Sequence, residues 1–262
     1  MPDTPALSRD GDAGARQAAI HVAFTPAEIP AAEVVVVIDV LRATSTLAQA
    51  LESGYRRVLC CESLAAARGL RAPGRVLAGE SECLQVPGFE LGNSPAAIAS
   101  GEPLADELVL ATTNGSPAIV AASRAAGRVL VGCLLNLGAI CSAIQSQARV
   151  ALACSGTDGR PALEDVYVAG RIVEQLGGGL SDSARVAACV AAAYRDPLEP
   201  LAASADGAAL RSSGQGGDIS WCARESTIDL APEVSAIERG AAVVTAASHR
   251  RSEAAGSGAR QT

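Results

Sequence analysis

Six short, nearly unbroken apolar runs recur along the chain, separated by alanine-rich or glycine-punctuated stretches. They are "VVVVID" (34–39), "RRVLCC" (56–61), "RVLAG" (75–79), "ELVLA" (107–111), "RVLVG" (128–132) and "RVALAC" (149–154). A strand with one wet face alternates apolar and polar residues, whereas a strand covered on both faces does not. These runs therefore predict a mostly parallel sheet with helices on either side, a three-layer α/β/α fold. The segments "VVVVIDVLRATSTLAQALESGYRRVL" and "ELVLATTNGSPAIVAASRAAGRVL" each run strand, threonine-rich turn, alanine-rich helix, then glycine shortly before "RVL". They predict two similar βαβ-type halves. One domain is expected over 19–247, between polar tails at 1–18 and 248–262. Residues 197–228, richer in Gly and Ser, read as a long loop covering a site.

Composition narrows the function. The 262 residues are 49% hydrophobic but only 2% aromatic, so the core is one of Ala, Val, Leu and Ile. Every basic residue is arginine, which excludes Schiff-base chemistry and a P-loop lysine. A net charge of −7 argues against nucleic acid and anionic membranes, which reward clustered cations. A small-molecule or protein partner is expected. The eight cysteines form no CxxC pair, and several sit inside apolar runs, as reduced thiols of a cytoplasmic protein do. The longest purely aliphatic run, "VVVVI", is far too short to span a membrane. The two histidines, His21 and His249, lie near the chain ends, which speaks against a Ser/His/Asp triad or a histidine metal cluster.

In a parallel sheet, ligands gather beyond the carboxyl ends of strands. At one such end stand Asp39, Arg42 and Thr44, within "DVLRATST". An acid and an arginine there can serve metal ligation and phosphate binding, although Thr44 can also simply cap the next helix. At a second end, "TTNGSP" supplies Thr112, Thr113, Asn114, Gly115 and Ser116. Ser116 before proline is an ordinary helix start, but the preceding residues go beyond capping and suit an anion held by backbone N–H groups. "GNSP" repeats the device with Asn93, and "LAGESE" places Glu80 beyond another strand. Asp39 and Glu80 can share a hard cation such as Mg²⁺ if their strands are neighbours. Glu164 and Asp165 open a further helix, either as ordinary first-turn acids or as reaching the site. Cys154 and Arg160 have the spacing of a cysteine-phosphatase loop, the rival to a metal mechanism. A non-catalytic module that binds small anions is the third reading.

The motifs "DVLRATST", "LAGESE", "GFELGNSP", "TTNGSPAI", "RVLVGCLLN" and "CSGTDGRPALEDVYVAG", in this order over about 34–245, resemble the ComB family of 2-phosphosulfolactate phosphatases. The resemblance implies an α/β/α fold and Mg²⁺-dependent hydrolysis of a phosphomonoester to sulfolactate and phosphate, a step on a route to coenzyme M. Carried over by matching motifs, it points to Asp39, Arg42, Glu80, Asn93, Thr112, Thr113, Asn114, Gly115, Glu164 and Asp165. Asp39, Glu80, Asp165 and Glu164 are the candidate metal ligands, while Arg42 and the "TTNGS" amides would hold phosphate. Whether Asp39 attacks or only positions metal and water stays open. Arg42, Arg160 and Arg211 are candidate partners for further acidic groups on the substrate. Oligomeric state stays open, a homodimer being one option, and the alanine-rich face at "VAACVAAAY" reads first as core.

Overall fold

The structure is a computed structural model that describes residues 19–246. The two expected tails lie outside the described residues. Along the chain come β1 (Ala19–Ala23), β2 (Val34–Ile38), α1 (Ala43–Glu52), β3 (Arg57–Cys61), α2 (Leu64–Gly69), β4 (Arg75–Ser81), β5 (Leu84–Gln85), α3 (Pro95–Ala99), β6 (Glu107–Ala111), α4 (Gly115–Ala125) and β7 (Val129–Gly132). There follow α5 (Leu137–Ile144), β8 (Arg149–Cys154), α6 (Leu163–Leu176), β9 (Gly179–Leu180), α7 (Asp182–Ala192), α8 (Leu198–Ala203), α9 (Ala205–Ser212), α10 (Gly217–Cys222), β10 (Pro232–Glu238) and β11 (Ala241–Ala246). All six expected strands are present.

The strands form one sheet in the order β5-β4-β6-β3-β11-β10-β7-β2-β8-β1-β9. Strands β4, β6 and β3 are mutually parallel, as are β7, β2, β8 and β1. Between the two sets sits the antiparallel hairpin β10–β11, which pairs with β7 on one side and β3 on the other. Its two-residue turn has Arg239 at φ 49° and Gly240 at φ 85°, the left-handed pair that matches strand twist in a tight hairpin. The two parallel sets consequently run in opposite senses. Units β2–α1–β3 and β6–α4–β7 both cross over this hairpin, so the similar halves expected from sequence take equivalent places in the sheet.

Alternate residues of each strand enter different packed layers, as a period of two requires. In β2, Val34, Val36 and Ile38 pack with α5 and α6, whereas Val35 and Val37 join a layer built on α1 and α4. That second layer also takes Val58 and Cys60 of β3, Val76 and Ala78 of β4, and Leu108 and Leu110 of β6. The two half-sheets thus share one helical layer. Outside it, Leu59, Leu77 and Val109 pack in a third cluster with Ala67 of α2. The shared layer brings the carboxyl ends of β2, β4 and β6 to one cleft.

Two expectations change. Residues 197–228 are largely helical, carrying α8, α9 and α10. Each helix is only six to eight residues long, too short for apolar periodicity to stand out. The alanines of α7 are core on one face only. Ala184, Ala187 and Ala191 are buried against α6, where Gly170 is needed because a Cβ would lie 2.1 Å from the Ala187 carbonyl oxygen. Val186, on the other face, is 51% exposed.

Candidate active site

Asp39, Arg42, Glu80, Asn93, Thr112, Thr113 and Asn114 line a single cleft of about 290 Å³. The strands that carry Asp39 and Glu80 are not neighbours, since β6, β3, β11, β10 and β7 lie between β2 and β4. Opposed half-sheets, rather than adjacency, bring the two carboxylates together.

Asp39 is held at both oxygens. Its Oδ1 accepts from the Ala43 N–H at 2.9 Å and its Oδ2 from the Ser155 hydroxyl at 2.8 Å. Behind it, Asp165 accepts from the Val40 N–H at 2.9 Å, from the Gly156 N–H at 3.1 Å and, more weakly, from Ser155 at 3.4 Å. Ser155 therefore joins the two acids. Burial, only partly offset by these hydrogen bonds, lifts the Asp39 carboxyl to about 6. Burial and then the charge of Asp39 raise Asp165 well above the usual carboxylate range. Burial, then Asp165 and Asp206, carries Glu164 to about 9. Four acids crowd one region without enough positive charge to balance them.

Glu80 ties its strand to the threonine turn. Its Oε1 accepts from the Thr113 N–H at 2.8 Å and hydroxyl at 2.9 Å, and Oε2 accepts from the Cys83 N–H at 3.1 Å. The turn is also closed on itself. Thr112 N–H donates to Ser116 Oγ at 2.8 Å, and Ser116 N–H donates to Thr112 Oγ1 at 2.9 Å. Of the expected phosphate cradle, Thr112, Thr113 and Ser116 have thus spent their N–H groups internally. The N–H groups of Asn114 and Gly115 have no protein partner among the described residues. They begin α4, where the helix dipole favours an anion. Gly115 is there for space: a Cβ would lie 2.4 Å from Asp39 Oδ2 and 2.4 Å from Ala43 Cβ.

Five expected site residues do not line the cleft: the expected metal ligand Asp165 lies behind Asp39, Gly115 packs against Asp39, and three more take other roles. Thr44 and Ser116 are fully buried and knit their own turns, Thr44 by bonding the Asp39 backbone. Glu164 lines a neighbouring cavity together with Arg160, not the cleft that holds Asp39. Arg42 lines the cleft yet is only 3% exposed, because its guanidinium is paired at 2.7 Å with Asp218 of α10. Arg211 donates to the Ala202 carbonyl oxygen and lines neither cavity.

The cysteine alternative fails on burial. Cys154 is fully buried and borders neither cavity. Desolvation, with Asp165 and Glu164 adding to it, raises its thiol well above the ordinary range, so the nucleophilic thiolate is suppressed. Sequence reasoning in turn missed Ser155, Asp206 and Asp218. Ser155 directly follows a strand and had a positional signal. Asp206 and Asp218 sit on the short helices taken for loop and had none.

The donor set suits a hard divalent cation. The charged ligand atoms that Asp39 and Glu80 offer are carboxylate oxygens, and among the described residues the buried Asn93 Oδ1 beside them has no hydrogen-bond partner. Among the described residues no three His, Cys, Asp or Glu side chains form a ready-made metal position. A cation would therefore take one or two carboxylates here and complete its shell with water and substrate oxygens, as Mg²⁺ does.

A mixed α/β fold that delivers carboxylates, hydroxyls and the start of a helix to one cleft, in a chain with no lysine, fits an enzyme that works on small anions. Comparison with known proteins makes this specific. The family described as 2-phosphosulpholactate phosphatase matches residues 23–236, and the chain belongs to that family. A protein of Thermus thermophilus named probable 2-phosphosulfolactate phosphatase is 41% identical over 198 residues, 73% of this chain and 84% of the relative. One of Deinococcus radiodurans with the same name is 39% identical, over 76% of this chain and 87% of the relative. A third, from Pseudothermotoga lettingae, is 34% identical over 81% and 94%. The chain is thus a phosphatase by family, and the cleft at Asp39 is its candidate active site.

Proposed function

We propose that the protein is a Mg²⁺-dependent phosphatase acting on a small phosphomonoester with further acidic groups, and that 2-phosphosulfolactate is that substrate. The reaction breaks the ester P–O bond as water adds to phosphorus, giving sulfolactate and inorganic phosphate. The observation that carries this reading is the meeting of Asp39, Glu80 and Asn114 at one cleft, with the unengaged Asn114 and Gly115 N–H groups at the start of α4.

Asp39 and Glu80 would hold the cation from the cleft wall. Bound there, it would neutralise charge on the transferring phosphoryl oxygens. The Asn114 and Gly115 amides hold the phosphoryl oxygens from the other side, already oriented by the closed turn at Thr112 and Ser116. Asp165 and Ser155 fix the Asp39 carboxylate in one orientation. A sulfonate and a carboxylate need further donors, and Arg160, exposed in the adjoining cavity, is the arginine free to meet one of them.

No helix among the described residues is long and apolar enough to cross a membrane, and all eight cysteines are free, which supports a cytoplasmic setting. Were the protein a homodimer, the exposed strip at Val186 and Cys189 of α7 would be the surface for a second copy, and sedimentation velocity decides that point. The activity is tested by phosphate release from 2-phosphosulfolactate, 2-phospholactate and an aryl phosphate, each in Mg²⁺ and in EDTA. The reading requires release that EDTA abolishes and that is fastest for the sulfonated ester. Equal rates on all three would remove the substrate assignment, and release in EDTA would remove the metal.

A further inference from the structure

Arg42 is surrounded by acceptors from two separate parts of the fold, the β4–β5 turn and the segment that leads into α10. Its Nη1 donates to Asp218 Oδ2 at 2.7 Å and to Gln215 Oε1 at 3.3 Å, and its Nη2 donates to the Cys83 carbonyl oxygen at 2.9 Å. Asp218 is itself anchored, since its Oδ1 accepts from the Ser94 hydroxyl at 2.7 Å. Arg42 and Asp218 are each 3% exposed. A guanidinium has five N–H donors, and these contacts engage only three. The remaining two, on Nε and Nη2, belong to a side chain that lines the cleft.

The cleft also contains Asp39, Glu80 and Asp206. A mobile arginine there would swing onto one of those carboxylates, quenching a metal ligand and hiding its own donors from phosphate. Asp218 prevents this by taking one edge of the guanidinium. Stability is a weak explanation for such a pair, because desolvating two charges offsets most of their attraction. Orientation at a binding cleft explains it better, because the planar fork of arginine recognises phosphate only when aimed.

We propose that Asp218, anchored by Ser94, is a positioning residue that aims Arg42 at the phosphoryl group, which makes α10 and its flanking short helices part of the active site. The proposal rests on the phosphatase reading above. It also explains why the GNSP turn, which supplies both Ser94 and Asn93, lies beside a cleft to which it contributes no charge.

The experiment compares wild type, Asp218→Asn, Asp218→Glu and Ser94→Ala in steady-state hydrolysis and in calorimetric binding of inorganic phosphate, at a temperature where melting curves show each variant folded. Asp218→Asn should raise KM and weaken phosphate binding about 10-fold or more, the scale of one charge-assisted contact, with a smaller change in kcat. Asp218→Glu should recover part of that loss. Ser94→Ala keeps both charges and should give a smaller effect in the same direction, so the proposal stays testable if Asp218→Asn does not fold. Wild-type KM and phosphate affinity in a folded Asp218→Asn protein, or in Ser94→Ala if only that one folds, would overturn the proposal. An inactive wild type that binds no phosphate would instead overturn the phosphatase reading on which it rests.

Discussion

Asp39→Asn should make the metal-free protein more stable while removing its activity. Burial raises the Asp39 carboxyl from 3.8 to about 6, so the folded state binds a proton more tightly than the unfolded chain does. Stability is then undiminished below pH 4 and falls as pH rises towards 6, where the folded protein must carry the charge. The full difference is about 3 kcal/mol, with about half of it present at pH 5 and nearly all by pH 7.5. Asparagine removes that charge and keeps the hydrogen bonds. Its Oδ1 still accepts from Ala43, and its amide can donate to Ser155, whose hydroxyl can turn to Asp165 at 3.4 Å. In a chain of this size the gain corresponds to about 6–12 °C in Tm. Thermal melts of both proteins in EDTA between pH 5 and 8 measure it, and the gap should widen with pH. Adding Mg²⁺ should raise wild type more than the variant, narrowing the gap by mass action. A variant less stable than wild type at pH 7.5 in EDTA, or a gap independent of pH, would refute the reasoning.

Other changes should separate the parts of the site. Gly115→Ala pushes a methyl to within 2.4 Å of Asp39 Oδ2; it should cost about 1–3 kcal/mol of stability and most of the activity, read by melts and phosphate release. Cys154→Ala should keep kcat/KM within about twofold, because the thiol is fully buried and outside both cavities, and native iodoacetamide labelling followed by mass spectrometry should mark exposed Cys189 and spare Cys154. Arg160→Gln should raise KM about 10-fold or more for 2-phosphosulfolactate, the loss of one charged contact, and leave an aryl phosphate unaffected.

The strands were legible because being covered on both faces leaves a direct mark, a run such as "VVVVI" with no polar gap. Asp39, Glu80 and the threonine turn were legible because strand ends in a parallel sheet are where ligands bind. The relation between them was not. Sequence gives each strand its faces but not its neighbours, and it gave no hint that a hairpin at 232–246 would invert one half-sheet and bring β2 and β4 together across five strands. The cradle was only half readable for a similar reason, since Thr112 and Ser116 bond each other and leave, within this turn, the Asn114 and Gly115 N–H groups without a partner among the described residues. Asp218 could not be seen at all. It lies on a six-residue helix beginning at Gly217 and just after Gly214 and Gly216, where glycine suggests loop and where only tertiary contact with Arg42 reveals a purpose.

The most direct test of the account is phosphate release from 2-phosphosulfolactate in Mg²⁺ by wild type and by folded Asp39→Asn at neutral pH. The account predicts turnover by wild type and a fall of at least about 100-fold in the variant, the scale seen when a group stabilising transition-state charge is removed. An Asp39→Asn protein that keeps wild-type turnover would contradict it and place the chemistry outside this cleft.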